Sequence, residues 1–136
     1  MADLAKITGR EHHLFDYYGA ADAERVVIAM GSINQTLKEA VDYLNGKGEK
    51  VGMLAVHLFR PFSVKHFLGA IPETVKKIAV IDRTKEPGAL GEPLYQDVRT
   101  AFYNSGRTPV IVGGRYGLGG KDVNPDQVLG IYEELK

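Results

Sequence analysis

The sequence contains no cysteine. It therefore forms no disulfide, and it supplies neither a thiolate nucleophile nor a cysteine ligand for zinc or an iron–sulfur cluster. It also lacks an excess of either charge, because 17 Lys and Arg residues balance 17 Asp and Glu residues. This balance gives no basis for nucleic-acid binding, and we expect no nucleic-acid partner.

Long apolar runs are missing as well. The longest run, residues 51–59, is interrupted by Gly52 and His57. It falls far short of the roughly 20 apolar residues that a membrane helix needs. The N-terminal residues carry no apolar core of the kind found in secretory signals. We therefore expect a cytoplasmic protein without a membrane partner.

Motifs for common catalytic and metal sites are absent too. The four histidines are His12, His13, His57 and His66, and their spacing is not that of metal ligands. Ser32 has no glycine two residues before it, which a serine-hydrolase elbow requires. We expect no catalytic, cofactor-binding or metal-ligating residue in the chain.

Four apolar runs alternate with helical patterns along the 136 residues. They cover residues 25–30, 51–59, 78–81 and 110–112, and near-continuous apolar runs are typical of parallel strands covered on both faces. A shorter candidate strand, residues 13–18, precedes them and suits an antiparallel sheet edge. The sequence predicts an α/β fold: a three-layer α/β/α sandwich with a mostly parallel five-stranded sheet and an antiparallel edge strand. We expect residues 1–12 to be an extended N-terminal arm or linker remnant and residues 13–136 a single domain.

Several residues mark the starts of the predicted helices. Ser32 with Gln35 forms a capping-box pattern, and Ser63 suits the cap of a shorter helix. Pro93 suits a first-turn position, and Asn124 precedes the last helix.

A charged loop, residues 82–95, directly follows the third apolar run and opens a helix. Ligand and partner contacts in open α/β sheets gather beyond the carboxyl ends of strands, which is where this loop lies. Its charges have both signs, which favours ion pairs with a neighbouring domain over binding of one charged ligand. A merely solvated loop is the alternative. The candidates for an interdomain contact are Asp82, Arg83, Thr84, Lys85, Glu86 and Glu92, together with Arg60 at the end of the second run.

A glycine-rich segment, residues 113–122, follows the last apolar run. It matches neither the Walker A pattern nor the dinucleotide-binding pattern. Arg115 and Lys121 are weak candidates for an anion site, because free backbone N–H groups lie beside them. The favoured interpretation is a tight connection between a strand and a helix.

Residues 82–95, DRTKEPGALGEPLY, closely resemble a segment of the pyruvate:ferredoxin (flavodoxin) oxidoreductases. Four further segments resemble the same family in the same order: LFDYYGA at 14–20, ERVVIAMGS at 24–32, LFRPFS at 58–63 and VGGRYGL at 112–118. The resemblance extends from about residue 8 to the end of the chain. It implies the domain of that enzyme that is similar to the C-terminal domain of transketolase.

The resemblance also implies a parent reaction. The family converts pyruvate and coenzyme A to acetyl-CoA and CO₂, with thiamine diphosphate, Mg²⁺ and iron–sulfur clusters, and passes electrons to ferredoxin or flavodoxin. This chain has no cysteine for clusters and no Gly-Asp-Gly motif for the diphosphate's metal ion. We therefore expect an inert, excised domain without a cofactor, whose partners are the other domains of the parent enzyme and its dimer mate. The alternative is a standalone α/β module that binds an anion or a nucleotide such as CoA.

Overall fold

The computed structural model describes residues 2–136, which fold around a five-stranded sheet. The strands are β1 (Phe15–Gly19), β2 (Arg25–Met30), β3 (Val51–Val56), β4 (Lys77–Asp82) and β5 (Val110–Arg115). The helices are α1 (Ala2–Thr8), α2 (Ile33–Gly46), α3 (Val64–Ala70), α4 (Pro93–Phe102) and α5 (Pro125–Glu134), with a 3₁₀ turn at Leu118–Gly120.

The strand order in the sheet is β1-β3-β2-β4-β5. Strands β2 to β5 are parallel to one another, whereas β1 runs antiparallel to β3. In that antiparallel pair Phe15 lies opposite Val56 and Gly19 lies opposite Gly52. The predicted sheet, with its antiparallel edge strand, is confirmed.

Two apolar cores lie on opposite faces of the sheet. Successive side chains of a strand point to opposite faces, so β4 contributes to both. Ile78 and Val80 pack in a core with residues of α3 and α4, while Ala79 and Ile81 pack in a core with residues of α2 and α5. The structure is therefore the predicted three-layer α/β/α sandwich.

The helix starts lie close to where the sequence placed them, but the capping contacts differ. Asn124 and Gln127 form a full capping box, with Gln127 N donating to Asn124 Oδ1 at 3.0 Å. The capping box at Ser32 is wrong, because its backbone is helical (φ −64°, ψ −25°) and a side-chain cap needs an extended residue. The Ser63 hydroxyl contacts His66 Nδ1 at 2.7 Å instead of capping a backbone N–H.

Two other segments differ from the prediction. Residues 2–8 form helix α1 instead of an extended arm, since Ala, Leu and Lys favour a helix and Lys6 pairs with Asp3 one turn away at 3.2 Å. Strand β3 ends at Val56, not at residue 59, because its partners end there: Val56 lies opposite both Phe15 and Met30. The domain division at residue 12 stays a prediction.

Within residues 2–136 no helix combines the length and apolar character needed to cross a bilayer.

Candidate functional site

The charged loop and the glycine-rich segment lie side by side because β4 and β5 are adjacent and parallel. Both segments leave the carboxyl ends of their strands. Arg83 Nε in the first segment donates to Gly117 O in the second at 3.3 Å, and Arg115 Nε donates to the Glu92 carboxylate. The fold therefore joins two motifs, residues 82–95 and 113–122, that residues 96–112 separate in the sequence.

Asp82, the last residue of β4, holds the start of α4. Its carboxylate accepts hydrogen bonds from Leu94 N at 3.0 Å and Tyr95 N at 3.2 Å. Burial raises the pKa of Asp82, and the two backbone hydrogen bonds oppose that rise. Only 2% of the residue is exposed. Within this chain Asp82 is therefore an internal link between strand and helix, and an interdomain contact of this residue stays a prediction.

Glu92, the residue before α4, links the backbone of the charged loop to Arg115 on β5. Glu86 N donates to Glu92 Oε2 at 2.5 Å, and Arg115 Nε donates to Oε1. Burial acts to raise the pKa of Glu92, but the Arg115 and Glu86 hydrogen bonds lower it below its ordinary value of 4.5. Glu92 is buried in this chain, and its interdomain contact also stays a prediction.

The Tyr95 ring is packed between two glycines. A Cβ at Gly91 would lie 2.3 Å from Tyr95 Cδ1, and one at Gly113 would lie 2.9 Å from Cδ2, so neither position has room for a side chain. The ring lines a cleft of about 510 Å³ between the loop and the end of β5, which Gly114 and Arg115 also line. Sequence reasoning missed this packing; the spacing Gly91-x-x-x-Tyr95 is its only signal.

The crevice between β2 and β4 is filled by the chain itself. These neighbouring strands are followed by helices on opposite faces, α2 and α4, and open α/β sheets bind ligands at such a point. Here the Tyr116 hydroxyl donates to Met30 O, the last carbonyl of β2, at 3.0 Å. Tyr116 therefore lies across this crevice at the end of β2.

The two weak anion-site candidates are engaged differently. Arg115 is bound to Glu92, although half of its side chain stays exposed. Lys121 is exposed and forms no ion pair within residues 2–136.

The outer part of the loop carries the remaining candidates. Arg83, Thr84, Lys85 and Glu86 are exposed. Leu90, in the same loop, is 97% exposed, and Tyr103 after α4 is 85% exposed. The surface at the loop therefore combines charged and apolar side chains.

Arg60 forms its ion pair inside the domain. Its guanidinium donates to the Asp97 carboxylate on α4 and lies 4.1 Å from the centre of the Phe59 ring. Arg60 therefore forms an intradomain ion pair with 58% of its side chain still exposed, and its interdomain role stays a prediction. The Arg60–Pro61 peptide bond is cis.

The known proteins that this chain resembles belong to one kind of enzyme. The family described as "Pyruvate:ferredoxin oxidoreductase core domain II" matches residues 23–128. The chain is 63% identical over 135 residues to a pyruvate-flavodoxin oxidoreductase of Enterobacter agglomerans and 56% identical to a pyruvate:ferredoxin oxidoreductase of Moorella thermoacetica. In both cases the match covers 99% of this chain and 12% of the relative.

A solved structure confirms the fold. The 2-oxoglutarate:ferredoxin oxidoreductase of Magnetococcus marinus matches with a TM-score of 0.60 and 19% identity, over 98% of this chain and 21% of that one. The chain thus spans about 12% of the length of these two curated relatives. On the evidence of its sequence and its fold, the chain belongs to the pyruvate:ferredoxin oxidoreductase core domain II family.

Proposed function

We propose that this chain is a non-catalytic docking domain of a thiamine-dependent pyruvate:ferredoxin or flavodoxin oxidoreductase. The parent enzyme converts pyruvate and CoA to acetyl-CoA, CO₂ and a reduced carrier in the cytoplasm. The domain's partners are the other domains of that enzyme and its dimer mate. Its contribution is to pack against them through the exposed side of the charged loop.

One observation carries this proposal: the charged loop is held by hydrogen bonds inside the domain and exposes an apolar side chain. Asp82 and Glu92 bond to α4 and to the loop backbone, so the loop has a defined shape without a ligand. Leu90 projects from it almost fully into solvent. A rigid loop that presents an apolar group among charges of both signs is typical of a surface that meets another protein.

The residues present do not supply ligands for an iron–sulfur cluster or a metal ion. The chain has no cysteine for an iron–sulfur cluster. Residues 2–136 contain no group of three His, Cys, Asp or Glu side chains placed to hold a metal ion. The buried carboxylates of Asp82 and Glu92 already accept hydrogen bonds from the backbone and from Arg115. We therefore derive no catalytic step within this domain.

The direct test is pyruvate- and CoA-dependent reduction of a viologen dye. The purified 136-residue chain should reduce no dye, while a full-length family enzyme assayed beside it should do so. Dye reduction by the isolated chain, dependent on both substrates, would contradict the proposal.

Calorimetry separates this proposal from a standalone anion- or nucleotide-binding module. CoA, a flavin nucleotide and thiamine diphosphate are titrated into the isolated chain. We expect no heat of binding at millimolar ligand, because Tyr116 fills the crevice and Arg115 is paired with Glu92. Micromolar binding that is lost in both Arg115→Ala and Lys121→Ala would favour the binding module instead.

A further inference from the structure

Strand β5 forms an open edge of the sheet, because β4 is its only neighbour among the described strands. The bonds at its two ends show which backbone groups are free. Val110 N donates to Lys76 O at 2.8 Å and Tyr116 N donates to Asp82 O at 3.1 Å, so even-numbered residues face β4. The N–H and C=O groups of the odd-numbered residues Ile111, Gly113 and Arg115 therefore point away from the sheet.

Over residues 110–114 this edge lacks the features that normally prevent strands from pairing with other chains, and Arg115 is the one charged residue of β5. Natural edges are protected by charged side chains, proline or bulges within the strand. Residues 110–114 are Val-Ile-Val-Gly-Gly, with no charge, and their pairing with β4 is continuous. The opposite edge is protected: Asp16 of β1 pairs with His13 and His57, both at 2.9 Å.

The surface beside the β5 edge is partly apolar. On one face of the strand the side chains of Val110 and Val112 are exposed. On the other, Leu90 and Tyr95 separate two clefts: one of about 510 Å³ that reaches Gly113, and one of about 250 Å³ that runs along α4 to Tyr103. Strand edge, apolar side chains and clefts form one continuous surface, which we call the β5 surface.

We propose that β5 accepts an added strand from a part of the parent polypeptide outside these 136 residues, an inference that rests on the proposed docking function. The added segment is extended and uncharged opposite residues 110–114, and one of its apolar side chains enters the cleft beside Leu90 and Tyr95.

The length of the relatives favours an occupant from the same polypeptide. This chain covers 12% of the length of the Enterobacter agglomerans and Moorella thermoacetica relatives, so most of such a protein lies outside it. A segment tethered in the same polypeptide meets the edge at a high effective concentration, which a second copy of the domain does not.

Hydrogen exchange at single-residue resolution tests this proposal. It is measured on the isolated chain and on a full-length family enzyme that contains these residues. In the isolated chain the amides of Ile111, Gly113 and Arg115 should exchange at least about tenfold faster than in the full-length enzyme. The amides of Val112 and Gly114, which bond to β4, serve as internal controls and should be protected in both.

A pair of matched variants gives a second readout. Val112→Lys places a charge beside the edge, and Val64→Lys places one at a site of similar exposure on α3; the two residues are 44% and 45% exposed. In the full-length enzyme only Val112→Lys should speed exchange at Ile111 and Gly113. As isolated chains, both variants should keep the unfolding midpoint of the unsubstituted 136-residue chain, which shows that they fold.

The outcomes separate this inference from the docking function. If Leu90 becomes inaccessible in the full-length enzyme but the three outward amides exchange as fast as in the isolated chain, strand addition is wrong and docking stands. If neither the accessibility of Leu90 nor the exchange of the three outward amides changes, both strand addition and the docking function are wrong. If the outward amides of the isolated chain become protected as its concentration rises, the occupant is a second copy, which overturns the proposal.

Discussion

The link between Asp82 and α4 gives the most quantitative prediction for this fold. Asp82→Ala removes the acceptor of two backbone N–H groups, those of Leu94 and Tyr95, in a buried position. Loss of a helix cap costs about 0.5–2 kcal/mol, and an unsatisfied buried donor costs about 1–3 kcal/mol.

Removing the buried charge offsets part of this loss of stability. Burial raises the pKa of Asp82, so the folded state bears a penalty for the ionised carboxylate that alanine no longer bears. We therefore expect a net loss of about 2–3 kcal/mol in the free energy of unfolding. For a chain of 136 residues this corresponds to a fall in Tm of about 7–10 °C.

The assay is urea denaturation of the isolated chain at pH 7, followed by circular dichroism. Asp126→Ala serves as the control, because Asp126 is an exposed residue in the first turn of α5 and should change the free energy of unfolding by no more than about 0.5 kcal/mol. If Asp82→Ala costs no more than this control, Asp82 does not hold α4.

The pH dependence of the same position has a defined sign. Because the folded pKa of Asp82 lies above its ordinary 3.8, the folded state binds more protons than the unfolded state in the window between the two values. The contribution of Asp82 to stability is therefore full below pH 3.8 and falls as pH rises through the folded pKa. Asp82→Asn does not titrate, so the stability gap between wild type and this variant should narrow with rising pH. A widening gap would refute the assigned role of burial.

Three further changes should have distinct effects. The pKa of Glu92 is lowered, so its pairing stabilises the fold above pH 4.5 and is lost as pH falls through the folded pKa; Glu92→Gln should flatten the dependence of Tm on pH in that range. Tyr132→Phe removes the buried hydroxyl that donates to Gly52 O at 2.8 Å and should cost about 1–2 kcal/mol in urea unfolding, whereas the exposed Tyr43→Phe should cost almost nothing. Arg60→Ala breaks a surface ion pair with Asp97 and should change stability by less than about 1 kcal/mol; a larger loss would show that this pair holds α4 in place.

Much of the fold could be predicted because it depends on local patterns. The apolar run at residues 25–30 coincides with β2, and the Asn124 capping box is set by residues three positions apart. Strand β3 was predicted too long because its end depends on the lengths of β1 and β2, which apolar character does not encode. Ser32 was misassigned as a side-chain cap because the sequence motif does not specify its backbone angles.

The candidate site was predicted only in outline. The sequence identified the loop at residues 82–95, but its charges alone do not say which carboxylates turn inward. Asp82 turns inward because α4 begins 11 residues later at Pro93 and lies against β4, and Glu92 because Arg115 on β5 reaches it. Both contacts depend on β4 and β5 being neighbours, which is a property of the whole sheet.

The docking function predicts that Leu90 matters only in the assembled enzyme. Leu90→Asp should leave the urea midpoint of the isolated chain unchanged, because the side chain is 97% exposed and contributes nothing to either core. Tyr43→Asp, at an exposed position on α2, is the matched control for an added charge. Glu86→Lys, an exposed reversal in the same loop, should behave like Leu90→Asp.

The most direct test is therefore the pyruvate- and CoA-dependent dye reduction of a full-length family enzyme that carries Leu90→Asp. A charge buried at a docking surface should lower the rate by about tenfold or more, equivalent to about 1.4 kcal/mol, while Tyr43→Asp retains the rate of the unmodified enzyme. Full activity of the Leu90→Asp enzyme would contradict the docking function of this domain.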